Sequence, residues 1–382
     1  MDRTYDVIVC GLGVMGSAAC WQLARRGLTV LGLERFDIPH TLGSSHGRSR
    51  VIRKAYFEDP RYVPLLHRAY ELWHELEAAA EQELFVRTGC LNLGPADHPC
   101  VRGILESVRQ HRLPYEVMSA DEVRRRFPAI RPAEHDIAVY EADAGFLRAE
   151  GCVRALADQA RAAGAELRTN ERVAGWNADD RRVAVRTDGG EHTARSLVLT
   201  AGPWLPVLAA DLRLSLRVER QVPIWFRPLA PERFSVGRLP VFIHFLDDRA
   251  YYGIPDDGRS GVKIARHHGG ATVDPETVDR TCTADDEADV RGYIRRHLPE
   301  ADGPLLDATV CLYTNTPDRH FLIDRHPQQS NVLIAGGFSG HGFKFAPVVG
   351  SVLADLATAG RTDLPIDPFR IERLRIEAQV MS

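Results

Sequence analysis

Three groups of residues in this chain have types and spacings that can do chemistry. The first is Gly11-x-Gly13-x-x-Gly16, which follows the apolar run Tyr5–Cys10 and precedes a helical pattern. Gly11 makes the tight turn, Gly13 lets backbone approach a pyrophosphate, and Gly16 lets helix pack on strand. The helix N-terminus then attracts the phosphate charge. Glu34 ends the next apolar run, 18 residues beyond Gly16, where a carboxylate accepts from ribose hydroxyls. An acid there favours FAD or NAD over NADP. The second group is Gly336-Gly337-Phe338-Ser339-Gly340-His341-Gly342-Phe343-Lys344, another Gly-rich turn opening another helix. A simple NAD dehydrogenase needs no such turn, whereas a flavoprotein uses one to cradle the isoalloxazine and ribityl end. The third group is the lysines. Of 48 basic residues only Lys54, Lys263 and Lys344 are lysine, so these are places where a compact titratable cation was kept over the Arg fork.

The elements that must position these groups follow from the apolar patterning. Tyr5–Cys10, a helix from Ser17 to about Arg26 and Thr29–Glu34 form a βαβ unit. A basic loop, Gly43 to Arg50, leads to an amphipathic helix with Leu65, Leu66, Ala69, Leu72, Trp73 and Leu76 on one face. Ser119 with Glu122 reads as a capping box. Arg148 to Ala163 reads as a helix, and Glu166–Arg168, Val183–Thr187 and Leu197–Thr200 as strands. The pattern then turns to antiparallel strands at Val218–Phe226, Val241–Phe245, Tyr251–Ile254 and Val262–Arg266. Asn331 to Gly342 is strand then turn, and Val348–Ala359 a helix. The fold class expected is mixed α/β: a discontinuous Rossmann-like FAD-binding domain (1–85, 146–214 and 318–382) with an inserted β-rich substrate domain (86–145 and 215–317).

Composition narrows the function. The 382 residues are 44% hydrophobic and carry a net charge of -4, an ordinary globular mix that disfavours nucleic acid or an anionic membrane as partner. No apolar run approaches the roughly 20 residues of a membrane helix. The seven Cys are scattered without a C-x-x-C pair, which suits a reducing cytoplasm. No His/Cys/acid spacing fits a metal.

Five segments taken in order resemble the monomeric sarcosine oxidase and N-methyltryptophan oxidase family. They are the N-terminal fingerprint, Ser45 to Arg53, Tyr251-Tyr252-Gly253, Val310 to Thr314, and Gly340 to Phe345. The resemblance implies an FAD-dependent amine oxidase that acts as a monomer on a small amino acid and dioxygen. It implies a flavin joined by a thioether from Cys311 to its 8α-methyl group; on the residues alone, Cys311 is as readily a plain buried cysteine. Arg53 and Lys344 match the residues that hold the substrate carboxylate. Lys263 matches the lysine that activates dioxygen, although in the strand Val262-Lys263-Ile264 an outward-facing lysine is the commoner case. His267 matches an active-site histidine, with adjacent His268 leaving the register open by one. Tyr56, Tyr252 and Tyr313 match aromatic residues of the substrate pocket, Tyr313 and Arg50 with catalytic roles. His46 and Arg50 match flavin contacts. Val173, Gly202, Gly340, Gly342 and Lys344 complete the cofactor surface.

The chain departs from the family at Ser45, Arg48 and Lys54, where a His, an acid and a His are usual. His244, in Phe242–Phe245, has no assigned role. Two alternatives stand beside an oxidase of N-methyl amino acids, the first of them motivated by these departures. One is an oxidase of a cyclic imino acid, or a biosynthetic tailoring oxidase. The other is a silent flavoprotein scaffold.

Overall fold

The computed structural model describes residues 4–374. Strand Thr4–Cys10 is the centre of the first sheet. It pairs in parallel with Val30–Leu33 on one side and with Gly190–Leu199 on the other. Val332–Gly336 then adds in parallel beside Gly190–Leu199, and Glu166–Arg168 flanks Val30–Leu33. Parallel strands covered on both faces read as near-continuous apolar runs, which is why Val7 to Cys10 and Val30 to Leu33 are buried throughout.

Three helices lie against this sheet: Val14–Ala24, Ala149–Ala162 and Ala346–Ala359. The first starts three residues before its expected Ser17, because Gly13 serves as its N-cap. Two glycines make the close packing possible. A Cβ on Gly16 would sit 1.8 Å from the Gly11 carbonyl, and one on Gly350 would sit 2.6 Å from the Ala18 backbone.

The second sheet has eight strands in the order Leu305–Ala308, Ile224–Phe226, Val262–His267, Arg249–Ile254, Val241–Leu246, Cys90–Pro95, Asp136–Glu141 and Glu116–Ser119. Its register places Lys263 opposite Trp225, and Trp225 opposite Asp307, in one cross-strand row. The run Val218–Phe226, expected as one strand, is two strands in different sheets. Arg217–Gln221 pairs with Cys311–Asn315, whereas Ile224–Phe226 joins the large sheet. Pro223 between them lacks the N–H that a continuous ladder needs.

The capping box at Ser119 and Glu122 is present at the start of helix Ala120–Arg126. Helices Pro99–Gln110 and Ala284–His297 were not anticipated. Among the described residues no helix is long and apolar enough to cross a membrane.

Candidate active site: a dinucleotide groove and a cationic cavity

The first turn of helix Val14–Ala24 has no side-chain cap on Gly13 and no acidic residue, so its amides are free for an anion; only the Val14 N–H is taken, donating to Ser45 Oγ at 3.1 Å. This turn forms one wall of a groove of about 190 Å³. Gly11, Gly13, Glu34, Val173, Gly202, Tyr313, Gly340 and Gly342 all line it. Gly16 lies beneath it, where the packing contact with Gly11 holds the turn. Glu34 is buried, and its carboxylate accepts from the Leu12 and Phe36 amides at 2.7 and 3.1 Å. Burial outweighs these hydrogen bonds and raises its pKa.

At the groove's Glu34 end, Glu276 pairs with Arg35 and accepts from Trp204 Nε1 at 2.9 Å. Glu276, Arg35 and Trp204 thereby form one linked part of the groove's lining. At the other end, Thr314 Oγ1 is buried beside the groove without a partner, and so is His46 Nε2 close by. A Gly-rich uncapped helix start, a ribose-side carboxylate and orphaned polar atoms are what an extended dinucleotide such as FAD would satisfy.

Cys311 sits where the groove meets a second cavity. Arg50 Nη2 donates to its Sγ at 3.1 Å, and to the Ser44 carbonyl at 3.2 Å. Burial alone would push the thiol up. The charges of Arg50, His46 and the more distant Lys263 overcome this and bring it down to about 6. Cys10, Cys20, Cys90 and Cys152 are instead all raised by burial. Electrostatics thus set Cys311 apart from the inert core thiols.

The second cavity, of about 70 Å³, shares Arg50, Tyr313, Gly340 and Phe343 with the groove. Arg53, Lys344, Tyr252, His267, Phe57 and Ile243 form the rest of its reactive wall. Arg53 lies between the rings of Tyr56 and Phe57, at 4.5 and 4.8 Å from their centroids. Its Nη2 donates to both oxygens of Glu58, at 3.2 and 3.0 Å. Lys344 Nζ donates to the His341 carbonyl at 2.8 Å and keeps its other donors free. Burial, aided by the Arg53 charge, lowers Lys344 to about 7. Gly340 has φ +78, and a Cβ there would strike the Tyr313 ring at 2.5 Å. Tyr313 OH lies 3.4 Å from His267 Nδ1. Burial and the adjacent His268 hold His267 well below its ordinary pKa, so it is neutral. His267 lines the cavity, whereas His268, at φ 64, does not line it and packs its ring 5.4 Å from that of Tyr313.

Two expected site residues lie one layer back. Tyr56 is fully buried behind Arg53 and Lys344, its OH 2.6 Å from His341 Nδ1. Lys263 is 1% exposed, which excludes the outward-facing alternative; its Nζ donates to the Gly47 and Ser49 carbonyls at 2.8 Å each. Three carboxylates were missed. Glu58 occupies Arg53. Glu141 accepts from the Lys54 and Ala55 amides, and Glu150 from those of Gly47 and Arg48. The last two fix the backbone that carries Arg50 and Arg53.

The FAD-dependent oxidoreductase family model matches residues 6–356. The monomeric sarcosine oxidase of Streptomyces avermitilis is 44% identical, over 98% of this chain and 99% of its own. The chain belongs to the sarcosine oxidase and N-methyltryptophan oxidase family of FAD-dependent oxidoreductases. The N-methyl-L-tryptophan oxidase of Salmonella arizonae is 38% identical over 97% of this chain and 99% of that protein. Among solved structures, the open form of NikD, an unusual amino acid oxidase essential for nikkomycin biosynthesis, has a TM-score of 0.86. It is 27% identical and covers 96% of this chain and 97% of that one. FAD is the cofactor this family membership assigns to the groove.

Proposed function

We propose that the enzyme oxidises the C–N bond of a small secondary amino acid, with N-methylglycine as the model substrate. The observation that carries this reading is the pairing of Arg53 and Lys344 on a buried cavity that adjoins the groove at Arg50 and Tyr313. A fork and a point charge together fix a carboxylate and so aim the rest of a small amino acid. The cavity has room for about six water-sized groups, at roughly 10–15 Å³ each, which suits the six non-hydrogen atoms of N-methylglycine.

FAD supplies the two-electron chemistry, accepting from the substrate and passing on to dioxygen. The chain's own groups prepare the substrate. Arg50, Arg53 and Lys344 line the cavity against the single carboxylate of Glu58, which leaves it net positive, and neutral His267 adds no charge. Like charge disfavours a protonated amine, so the substrate is held as the free base whose lone pair the oxidation requires. Two electrons and two protons leave its C–H and N–H, giving an imine. Water adds to that imine and releases formaldehyde and the primary amino acid, and dioxygen ends as hydrogen peroxide.

The departures Ser45, Arg48 and Lys54 do not line the cavity. Ser45 caps Val14, Arg48 lies over Trp225 and Lys54 lies over Tyr70. They give no support to a cyclic substrate. Peroxide and formaldehyde assays on the FAD-loaded enzyme decide the matter. N-methylglycine should yield both in equal amounts; peroxide from proline or pipecolate alone, without formaldehyde, would overturn the reading.

Attachment of the flavin through Cys311 belongs to the same proposal. It is supported by the depressed thiol and by the boundary position of Cys311. Acid precipitation should leave the yellow colour in the pellet, and Cys311→Ala should release it to the supernatant. Colour released from the unmodified protein would remove Cys311 as the anchor.

A further inference from the structure

In the strand Val241–Leu246, Ile243 lines the substrate cavity, and the next residue, His244, faces the other side of the sheet. His244 is fully buried there, with Nε2 3.2 Å from Asp136 Oδ2 and Nδ1 3.1 Å from Tyr293 OH. The ring of His297 stands edge-on to it, the centroids 4.6 Å apart. His297 ends the helix Ala284–His297 and is 5% exposed. With Arg124, Arg131 and Arg296 it lines an open cavity of about 480 Å³. No acidic side chain lines this cavity, and it shares no residue with the groove or the substrate cavity.

Two observations point to an anion that also has a proton to give. The first is charge. Helices Ala120–Arg126 and Ala284–His297 both end here, with Arg124, Arg125 and Arg126 in one last turn and Arg295 and Arg296 in the other. A helix C-terminus carries about half a negative charge, so two such ends do not account for these arginines. Arg124, Arg126 and Arg295 pair with Asp121, Glu116 and Asp302. Arg131 and Arg296, both exposed on the cavity, have no such partner among the described residues. The second observation is the tautomer of His297. Its Nδ1 lies 3.1 Å from the Arg131 carbonyl, which can only accept, so Nδ1 carries the hydrogen. Burial, then the neighbouring His244, holds its pKa down to about 4, so the ring is neutral and Nε2 is a lone pair. Among the described residues nothing donates to that lone pair. Asp136, the nearest carboxylate, is occupied by His244 and by the Ala133 amide at 2.8 Å.

We propose that this cavity is a binding site for free phosphate, with Arg131 and Arg296 donating to its oxygens and His297 Nε2 accepting from its hydroxyl. Guanidinium forks match a multi-oxygen anion, and the lone pair selects among such anions. Sulfate has oxygens for the arginines and no hydrogen for His297. Monohydrogenphosphate has both. Bound there, it ties the loop that carries Arg131 to the last turn of helix Ala284–His297. His244 thereby acquires a place as the back of this site, its own nitrogens turned to Asp136 and Tyr293. The site stands independently of the amine-oxidase reading.

The test is calorimetric titration of the FAD-loaded enzyme with sodium phosphate at about pH 7.5, with ionic strength held constant by chloride. Binding should saturate. Sodium sulfate should bind about tenfold more weakly or worse, for want of one hydrogen bond. Phenyl phosphate should resemble sulfate, because an esterified phosphate, with a second pKa of about 6, has lost its last proton at that pH. Arg131→Gln and Arg296→Gln, both at exposed positions, should each weaken phosphate about tenfold. His297→Phe keeps a ring without the lone pair and should erase the preference over sulfate. Equal affinity for phosphate and sulfate overturns the proposal, and so does phenyl phosphate binding as tightly as free phosphate. Phosphate binding unchanged in both arginine variants places the anion elsewhere on the protein and overturns it as well. If His297→Phe does not fold, the arginine variants and the sulfate comparison still decide.

Discussion

The sharpest consequence of the site's electrostatics is what Arg50 does to Cys311. With Nη2 3.1 Å from Sγ, the guanidinium offsets the burial that would otherwise raise the thiol, and with His46 brings it from 9.0 to about 6. A pair of unit charges about 4 Å apart interacts by roughly 4 kcal/mol at an effective dielectric of about 20. At about 1.4 kcal/mol per pKa unit this is about three units. Replacing Arg50 by Gln should therefore return the thiol to about 9 or above. At pH 7.5 the thiolate share would fall from about 97% to about 3%, and alkylation would slow about thirtyfold. The assay is iodoacetamide labelling of cofactor-free protein across pH 5 to 10, with Cys311 followed by peptide mapping against the buried, unreactive thiols. The unmodified protein should show a midpoint near 6, and Arg50→Gln one near 9. A midpoint near 9 in the unmodified protein, or one near 6 in both, would refute this account of the thiol. The same variant should slow covalent capture of added FAD by a comparable factor.

Four further expectations are open to simple measurement. Lys344, lowered to about 7, loses its charge as pH rises through neutrality, so carboxylate binding should weaken above about pH 7 and Lys344→Met should flatten that dependence; titration calorimetry with acetate reads both. Because the folded pKa lies below the unfolded one, the folded protein binds fewer protons between about pH 7 and 10.5, and Lys344 should add stability as pH rises through that window; Lys344→Met should remove this slope from denaturant midpoints. Glu58→Gln should lower the melting temperature, because it leaves the Arg53 charge buried without its counter-ion, and should enlarge the stabilisation given by a bound carboxylate. Gly340→Ala, at positive φ and against the Tyr313 ring, should cost roughly 1–3 kcal/mol and raise KM more than it lowers melting.

The parts of the site legible in the sequence are those whose residue type is itself the constraint. Gly11 and Gly16 could be read because a Cβ at either would strike backbone, at 2.7 and 1.8 Å. Cys311, Lys344 and the second Gly-rich turn carried recognisable neighbours. The burial of Lys263 could not be read from alternation. Val262, Lys263 and Ile264 are all buried, since this part of the sheet is covered on both faces and the usual inside–outside rhythm is lost. Glu58 was hidden by its neighbour Asp59, which makes the pair look like ordinary loop charge; its one signal is its place five residues after Arg53. Glu141 and Glu150 act by receiving backbone amides, and no side-chain pattern announces such a role. The break at Pro223 is signalled by the proline alone, against flanking residues that are strongly strand-forming.

The cofactor groove also has a history in time. Its first wall, Gly11 to Glu34, is made at the start of synthesis, whereas Tyr313 and the Gly337–Phe343 turn are made near the end. The strand Val332–Gly336 must slot beside Gly190–Leu199 before that turn can face the helix it opposes. A nascent chain still lacking these residues holds only half a cradle. Flavin capture therefore needs both walls of the groove in place.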